Sequence, residues 1–171
     1  MMRIALTNLG KYNEGTLAYQ WLDLPATEEE IEETLEKIGI DGEEYEEYFI
    51  SDYETDIRGL TIGEHEDLDE LNELAKQLDN LEEYESDILA AILEATSYDI
   101  KDALKCLDGG DFQFYPGMDL TEVAENMVDE GLFGDTKDIG TLVDYIDYER
   151  LGRDLGYDGY TETSRGVIML N

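Results

Sequence analysis

The sequence predicts an α+β fold in an elongated chain, of a length for one domain or for two or three small ones, and three observations carry that prediction. Of the 171 residues 42% are hydrophobic, with twelve Tyr, four Phe and one Trp, a composition of folded rather than acidic disordered chains. Strand-like segments lie towards both ends, with helices concentrated between them. This gives three stretches: residues 1–61 with three strands and one helix, an acidic helical stretch over 62–103, and a second mixture of strands and helices over 104–171. Forty-five Asp and Glu against eleven Lys and Arg leave a net charge of −34, divided as −12, −12 and −10 over those stretches. Charge spread so evenly repels itself everywhere and disfavours a sphere, which is why an elongated form is expected.

Residues 3–9 (RIALTNL) alternate and carry β-formers, so they read as a strand. Residues 11–15 (KYNEG) are turn material, and 16–22 (TLAYQWL) return as the second strand of a hairpin. Thr27 with Glu30 forms a capping box for a helix whose buried stripe is Ile31, Leu35 and Ile38 and whose stop is Gly39. Residues 48–53 (YFISDY) make a third strand. Between 64 and 95 lie two amphipathic helices, one with Leu68, Leu71, Leu74, Ala75 and Leu78 inward, the other with Tyr84, Ile88, Ala91, Ile92 and Ala95. Ser97 caps a third helix containing Ile100, Ala103, Leu104 and Leu107, ended by Gly109 and Gly110. Residues 112–115 are a short aromatic strand. Asp119 or Thr121 opens a helix that buries Val123, Ala124, Met127 and Val128. Residues 138–155 read as one broken or two short helices, with Gly140 and Gly152 as weak points. Residues 157–163 and 167–170 pair as a final hairpin across 164–166.

The second faces of the two central helices are almost entirely carboxylate, and Lys76 is the sole cation between residues 64 and 95. Surface helices ordinarily mix signs, because like charges at i,i+4 cost a few tenths of a kcal/mol each. Something other than folding stability favours this much negative charge. An anionic surface of this strength repels nucleic acid and anionic lipid, so neither is an expected partner; a basic, nucleic-acid-binding protein is. The chain opens on no basic–apolar signal segment and holds no run of membrane-spanning length. The single Cys106 rules out an internal disulfide and fits a reducing cytoplasm.

Chemistry finds little purchase. Asp52, Glu54 and Asp56 fall at the first positions of a calcium loop, but Ile57 stands where its glycine belongs and Gly63 where its last ligand belongs. Asp154, Asp158 and the glycine Gly159 fit a second such loop until its last position, which is Arg165. One His and one Cys cannot make a zinc set of the usual kind. His65, among Glu64, Glu66 and Asp67, reads as a solvated residue at a helix start, with no nucleophile or orienting group identifiable beside it. No nucleophile elbow or phosphate loop is present. The expectation is a protein with no catalytic residues, no metal and no cofactor. Paired-carboxylate hydrolysis is the enzymatic alternative.

Several blocks are similar to one family. Residues 3–9 with 11–15 and Trp21, Leu22, Asp23 and Leu24 resemble the opening of the ArdA antirestriction family. Residues 46–54 (EEYFISDYE portion: Glu46, Glu47, Tyr48, Phe49, Ile50, Ser51, Asp52, Tyr53, Glu54) look like its next block. The stretch 64–95 resembles its acidic antirestriction-type segment. Tyr145, Ile146, Asp147, Tyr148 and Glu149, with Arg153, Asp154 and Leu155, resemble a block near its C-terminus. The blocks occur in the family's order over essentially the whole chain.

That resemblance implies a homodimeric, cytoplasmic protein of mobile genetic elements, elongated and with three small domains per chain: an N-terminal α+β domain over 1–61, an acidic helical bundle over 62–103, and a second α+β domain over 104–171 where the dimer contact is expected. It would act as a DNA mimic, occupying the DNA-binding groove in the methyltransferase core of type I restriction–modification enzymes. At one duplex charge per roughly 1.7 Å, a charge of −34 matches about 58 Å of DNA. The residues expected to stand in for phosphates are Glu64, Glu66, Asp67, Asp69, Glu70, Glu73, Asp79, Glu82, Glu83, Glu85 and Asp87. Phe112, Phe114, Tyr115 and Met118 form an apolar cluster in the least acidic third and are the candidate dimer contact; a place in that domain's own core is the other reading. Two further classes share the composition. An acidic chaperone or sequestering module would bind free basic proteins, and a halophilic adaptation would unfold at low salt.

Overall fold

The computed structural model describes residues 2–134 and 140–171. The chain divides into two compact units, Met1–Glu82 and Glu83–Asn171, each built on a three-stranded antiparallel sheet with helices, so the α+β class holds.

In the first unit, β1 (Met2–Asn8) is the central strand, flanked by β2 (Tyr19–Leu24) and β3 (Tyr48–Thr55). Strand pleating sends Met2, Ile4 and Leu6 to one face, where they are buried with Leu22, Leu24 and Ile50. Helix α2 (Glu28–Ile38) packs on that face. It begins with the expected capping box of Thr27 and Glu30 and ends on Gly39 in the left-handed conformation. The expected turn over 11–15 is a short helix instead, α1 (Leu9–Asn13), because the Asn8 side chain caps it by accepting from Lys11 N at 2.9 Å. The return strand therefore starts three residues later than expected, at Tyr19. Helix α3 (Leu68–Asp79) buries Leu68, Leu71 and Ala75 as expected, and also Asn72.

The second unit opens with α4 (Glu83–Ala95), and here the amphipathic expectation fails. Ile88, Leu89, Ala90, Ala91, Ile92 and Leu93 are all buried, whereas Tyr84 is 54% exposed. The helix lies against α5 (Ile100–Gly109) and against the hairpin strands β5 (Thr161–Thr163) and β6 (Gly166–Leu170), so it is enclosed on more than one side. Asp99, not Ser97, caps α5. Strand β4 (Phe112–Pro116) pairs with β6, giving the order β4-β6-β5. Helix α6 (Leu120–Asp129), capped by Asp119, packs on α7 (Tyr148–Tyr157), with Val123, Ala124, Met127, Leu155 and Val167 at the centre. A 3₁₀ turn (Gly140–Tyr145) precedes α7; Asp138 and Ile139 lie outside the described residues.

Gly152 is not a weak point of α7. A Cβ there would meet the Leu120 carbonyl oxygen at 2.6 Å, so the glycine is what lets the two helices approach. Both calcium-like stretches begin in regular structure and not in a loop: Asp52 and Glu54 lie on β3, and Asp154 lies within α7.

Candidate functional site

Acidic side chains are presented by the helices in two ways. Some carboxylates are spent on the backbone. Asp67 is the N-cap of α3 and accepts from the amides of Asp69 and Glu70, both at 3.0 Å. Asp87 pairs with Arg165 at 3.3 Å, and Glu94 accepts from Ser164 N at 2.7 Å and Ser164 Oγ at 2.5 Å. Those contacts tie the β5–β6 hairpin to α4. Glu73 pairs with Lys76 at 2.7 Å, the one cation of the stretch.

Engaged or not, most of the carboxylates face solvent. Of the eleven expected phosphate stand-ins, Glu64, Glu66, Asp67, Asp69, Glu70, Glu73, Asp79, Glu82 and Glu83 are exposed, and Glu85 and Asp87 are half-buried. They do not all belong to one unit: those from Glu64 to Glu82 are carried by the first and Glu83, Glu85 and Asp87 by the second. His65 is exposed, in the turn ahead of the Asp67 cap.

A denser row lies elsewhere. Helix α2 exposes Glu28, Glu29, Glu32, Glu33 and Glu36, with Glu30 held in the capping box and Lys37 paired to Glu33 at 3.1 Å. The signal was the EEE-x-EE-xx-E run itself, passed over because its apolar stripe already accounts for the helix. Beyond α2, Asp41 accepts from the amides of Glu43, Glu44 and Tyr45 at 2.9–3.1 Å. Those amides, Glu43 foremost and then Tyr45 and Glu44, hold its carboxyl below the usual aspartate range.

A hollow of about 570 Å³ is lined by Lys11, Glu36, Gly39, Ile40, Asp41, Glu44 and Tyr45. Its Lys11 ammonium donates to the Ile38 carbonyl at 3.1 Å, closing the end of α2. Among the described residues no three His, Cys, Asp or Glu side chains gather closely enough to hold a metal. Cys106 is half-buried, and burial pushes its thiol up, away from the reactive thiolate. Among the described residues no helix is long and apolar enough to cross a membrane.

In the candidate dimer cluster, Tyr115 and Met118 pack against the core of the second unit. Phe112 and Phe114 are half-buried on β4, an edge strand, and Phe114 meets Tyr84 with ring centres 6.0 Å apart.

A chain that displays carboxylates from α2, α3 and the start of α4 is an α+β protein of anionic surface. Residues 4–169 match the family described as antirestriction protein (ArdA), and the chain belongs to that family. Its members are inhibitors of restriction enzymes. No individually curated protein matches the sequence.

Proposed function

We propose that this antirestriction protein is a DNA mimic that occupies the DNA-binding groove of type I restriction–modification enzymes as a homodimer and breaks no bond. The observation that carries the reading is the exposure of carboxylates on successive helices, in a chain matched to the ArdA family over residues 4–169. Each carboxylate pairs with a groove Lys or Arg, and Arg donates to a carboxylate in the bidentate manner in which it donates to a phosphate. Binding is sequence-independent because no base edge is involved. The contact includes α2 as well as the central stretch. Duplex of the length of α3, about 18 Å, carries roughly 10 charges. Asp69, Glu70, Glu73 and Asp79 against Lys76 supply α3 with far fewer.

Competition tests it. Purified protein is expected to displace duplex from the methyltransferase core of a type I enzyme at near-stoichiometric amounts. Failure to displace it, with tight capture of free histone-like or ribosomal proteins, would favour the sequestering reading instead. For the dimer, Phe114→Asp is expected to sediment as a monomer; a variant that remains dimeric moves the contact elsewhere.

A further inference from the structure

The face of the first sheet opposite α2 carries a pattern that charge mimicry does not use. Cross-strand pairing sets three rows on it: Tyr19, Thr7 and Phe49; Trp21, Ala5 and Asp52; Asp23, Arg3 and Glu54. Ala5 and Thr7 on the central strand are themselves buried, at 2% and 0% exposed, so what this face presents is the larger side chains of β2 and β3 on either side of them. Tyr12 extends the first row, its ring 5.4 Å from Phe49 in an edge-on contact. In a chain this acidic an aromatic row is not hidden: Tyr12 is 55% and Tyr19 51% exposed.

The third row displays what such a face holds. The Arg3 guanidinium lies 4.7 Å from the centre of the Trp21 ring, with Nε 3.3 Å from Asp23 and Nη1 3.7 Å from Glu54. A planar cation therefore rests on an aromatic ring between two carboxylates, which are themselves 78% and 65% exposed. Tyr19, two residues along β2, offers a second ring on the same face, and Asp52 a further carboxylate across from Ala5.

We infer that this sheet face is a docking surface for an arginine-bearing segment of a protein partner, whose guanidinium groups stack on Tyr19 and Tyr12 beside the carboxylates. The inference rests on the proposed function for the partner's cationic character and adds to it a selection of arginine over lysine. Carboxylates alone attract either cation, whereas an exposed ring adds a contact that the planar, weakly hydrated guanidinium makes better than an ammonium. It also survives salt that screens the carboxylates.

Trp21 is the only tryptophan and lies on this face, so its fluorescence reports binding locally. The full chain is titrated with nona-arginine and nona-lysine at about 0.15 M and about 0.5 M salt, where screening lengths fall from roughly 8 Å to about 4 Å. Nona-arginine is expected to shift Trp21 emission at both salts and to bind about fivefold tighter than nona-lysine at the higher one. Tyr12→Ser with Tyr19→Ser is expected to abolish that preference, and Tyr12→Phe with Tyr19→Phe to keep it. Equal affinity for the two peptides at both salts in the unmodified chain would overturn the inference, whether or not the serine variant folds. So would a folded serine variant that retains the preference. The proposed function fails separately: a chain that prefers nona-arginine but cannot displace duplex from a type I methyltransferase core keeps this surface and loses the mimicry.

Discussion

Asn72 shows how much one side chain can hold. It lies on the buried side of α3, accepts from Ala26 N at 2.7 Å and donates to Ala26 O at 2.9 Å, so both amide atoms are used. Asn72→Ala leaves two buried backbone groups unpaired and is expected to cost about 1–3 kcal/mol, read by urea unfolding. Asp67 separates two roles that its charge confuses. Asp67→Ala is expected to cost about 1 kcal/mol through loss of the α3 cap. Asp67→Ser keeps a capping oxygen and should restore the stability, while both variants remove the same single charge and inhibit alike. If Asp67→Ser inhibited far less than the parent at equal stability, that carboxylate would carry a specific contact rather than a share of the field. Acid reaches the caps unevenly. Glu30 is held below the usual glutamate range by the Thr27 amide and then the Thr27 hydroxyl, and Asp41 is lowered by its three amide donors. Both are groups with depressed folded values, so what they contribute is present above the ordinary carboxylate range and lost as pH falls through the lowered values. In an NMR acid titration the amides of Glu43, Glu44 and Tyr45 should move at lower pH than ordinary aspartates titrate; movement in step with them would remove the Asp41 cap from the account.

At the scale of elements, what the sequence discloses depends on whether its cause is local. The Thr27–Glu30 box, the Gly39 stop and the final hairpin are legible because each is fixed by residues a few positions apart. The enclosure of α4 is not, since a helix buried on several sides and a helix buried on one share the same i,i+3,i+4 spacing. The ties of Glu94 to Ser164 and of Asp87 to Arg165 are not legible for a similar reason: the partners are distant in sequence. Of the candidate site, the acidic exposure of α3 was legible; the denser row on α2 was present in the letters but hidden behind a sufficient structural explanation. Gly152 was misread because a glycine required by a neighbouring backbone and one that loosens a helix are the same letter. The two roles separate by substitution. Gly152→Ala drives a methyl into the backbone at Leu120 and Thr121, at 2.6–3.0 Å, and is expected to cost about 1–3 kcal/mol. Gly156, one turn on in α7, has only Leu120 Cδ1 at 3.5 Å, an ordinary contact. Gly156→Ala should therefore stabilise by about 0.5–1 kcal/mol through helix propensity alone. Denaturation midpoints that move the same way in both variants would contradict the close approach of α6 and α7.

On the function proposed above, a charge of −34 has to compete with DNA for a groove that holds DNA. A duplex concentrates one charge per roughly 1.7 Å and condenses counterions, whose release drives its binding and makes that binding fall steeply with salt. Among the described residues no helix approaches that density. Helix α2 offers six Glu against Lys37, whereas about 17 Å of duplex carries roughly 10 charges. A sparser array condenses fewer ions, gains less from releasing them and loses less when salt is added. Both ligands should bind the groove more weakly as salt rises, but DNA should weaken faster. The amount of protein needed to displace half of a fixed amount of duplex is therefore expected to fall between about 0.05 M and about 0.2 M salt, a range over which a protein making several phosphate contacts loses orders of magnitude in DNA affinity. The same logic sets the response to substitution. Glu29, Glu32 and Glu36 changed together to Gln should weaken inhibition about as much as Glu64, Glu66 and Asp69 changed to Gln, Gln and Asn, and each set should flatten the salt dependence further. A duplex-like salt slope in the unmodified protein, or abolition of inhibition by one set with no effect of the other, would show that a few specific contacts rather than a distributed field hold the groove.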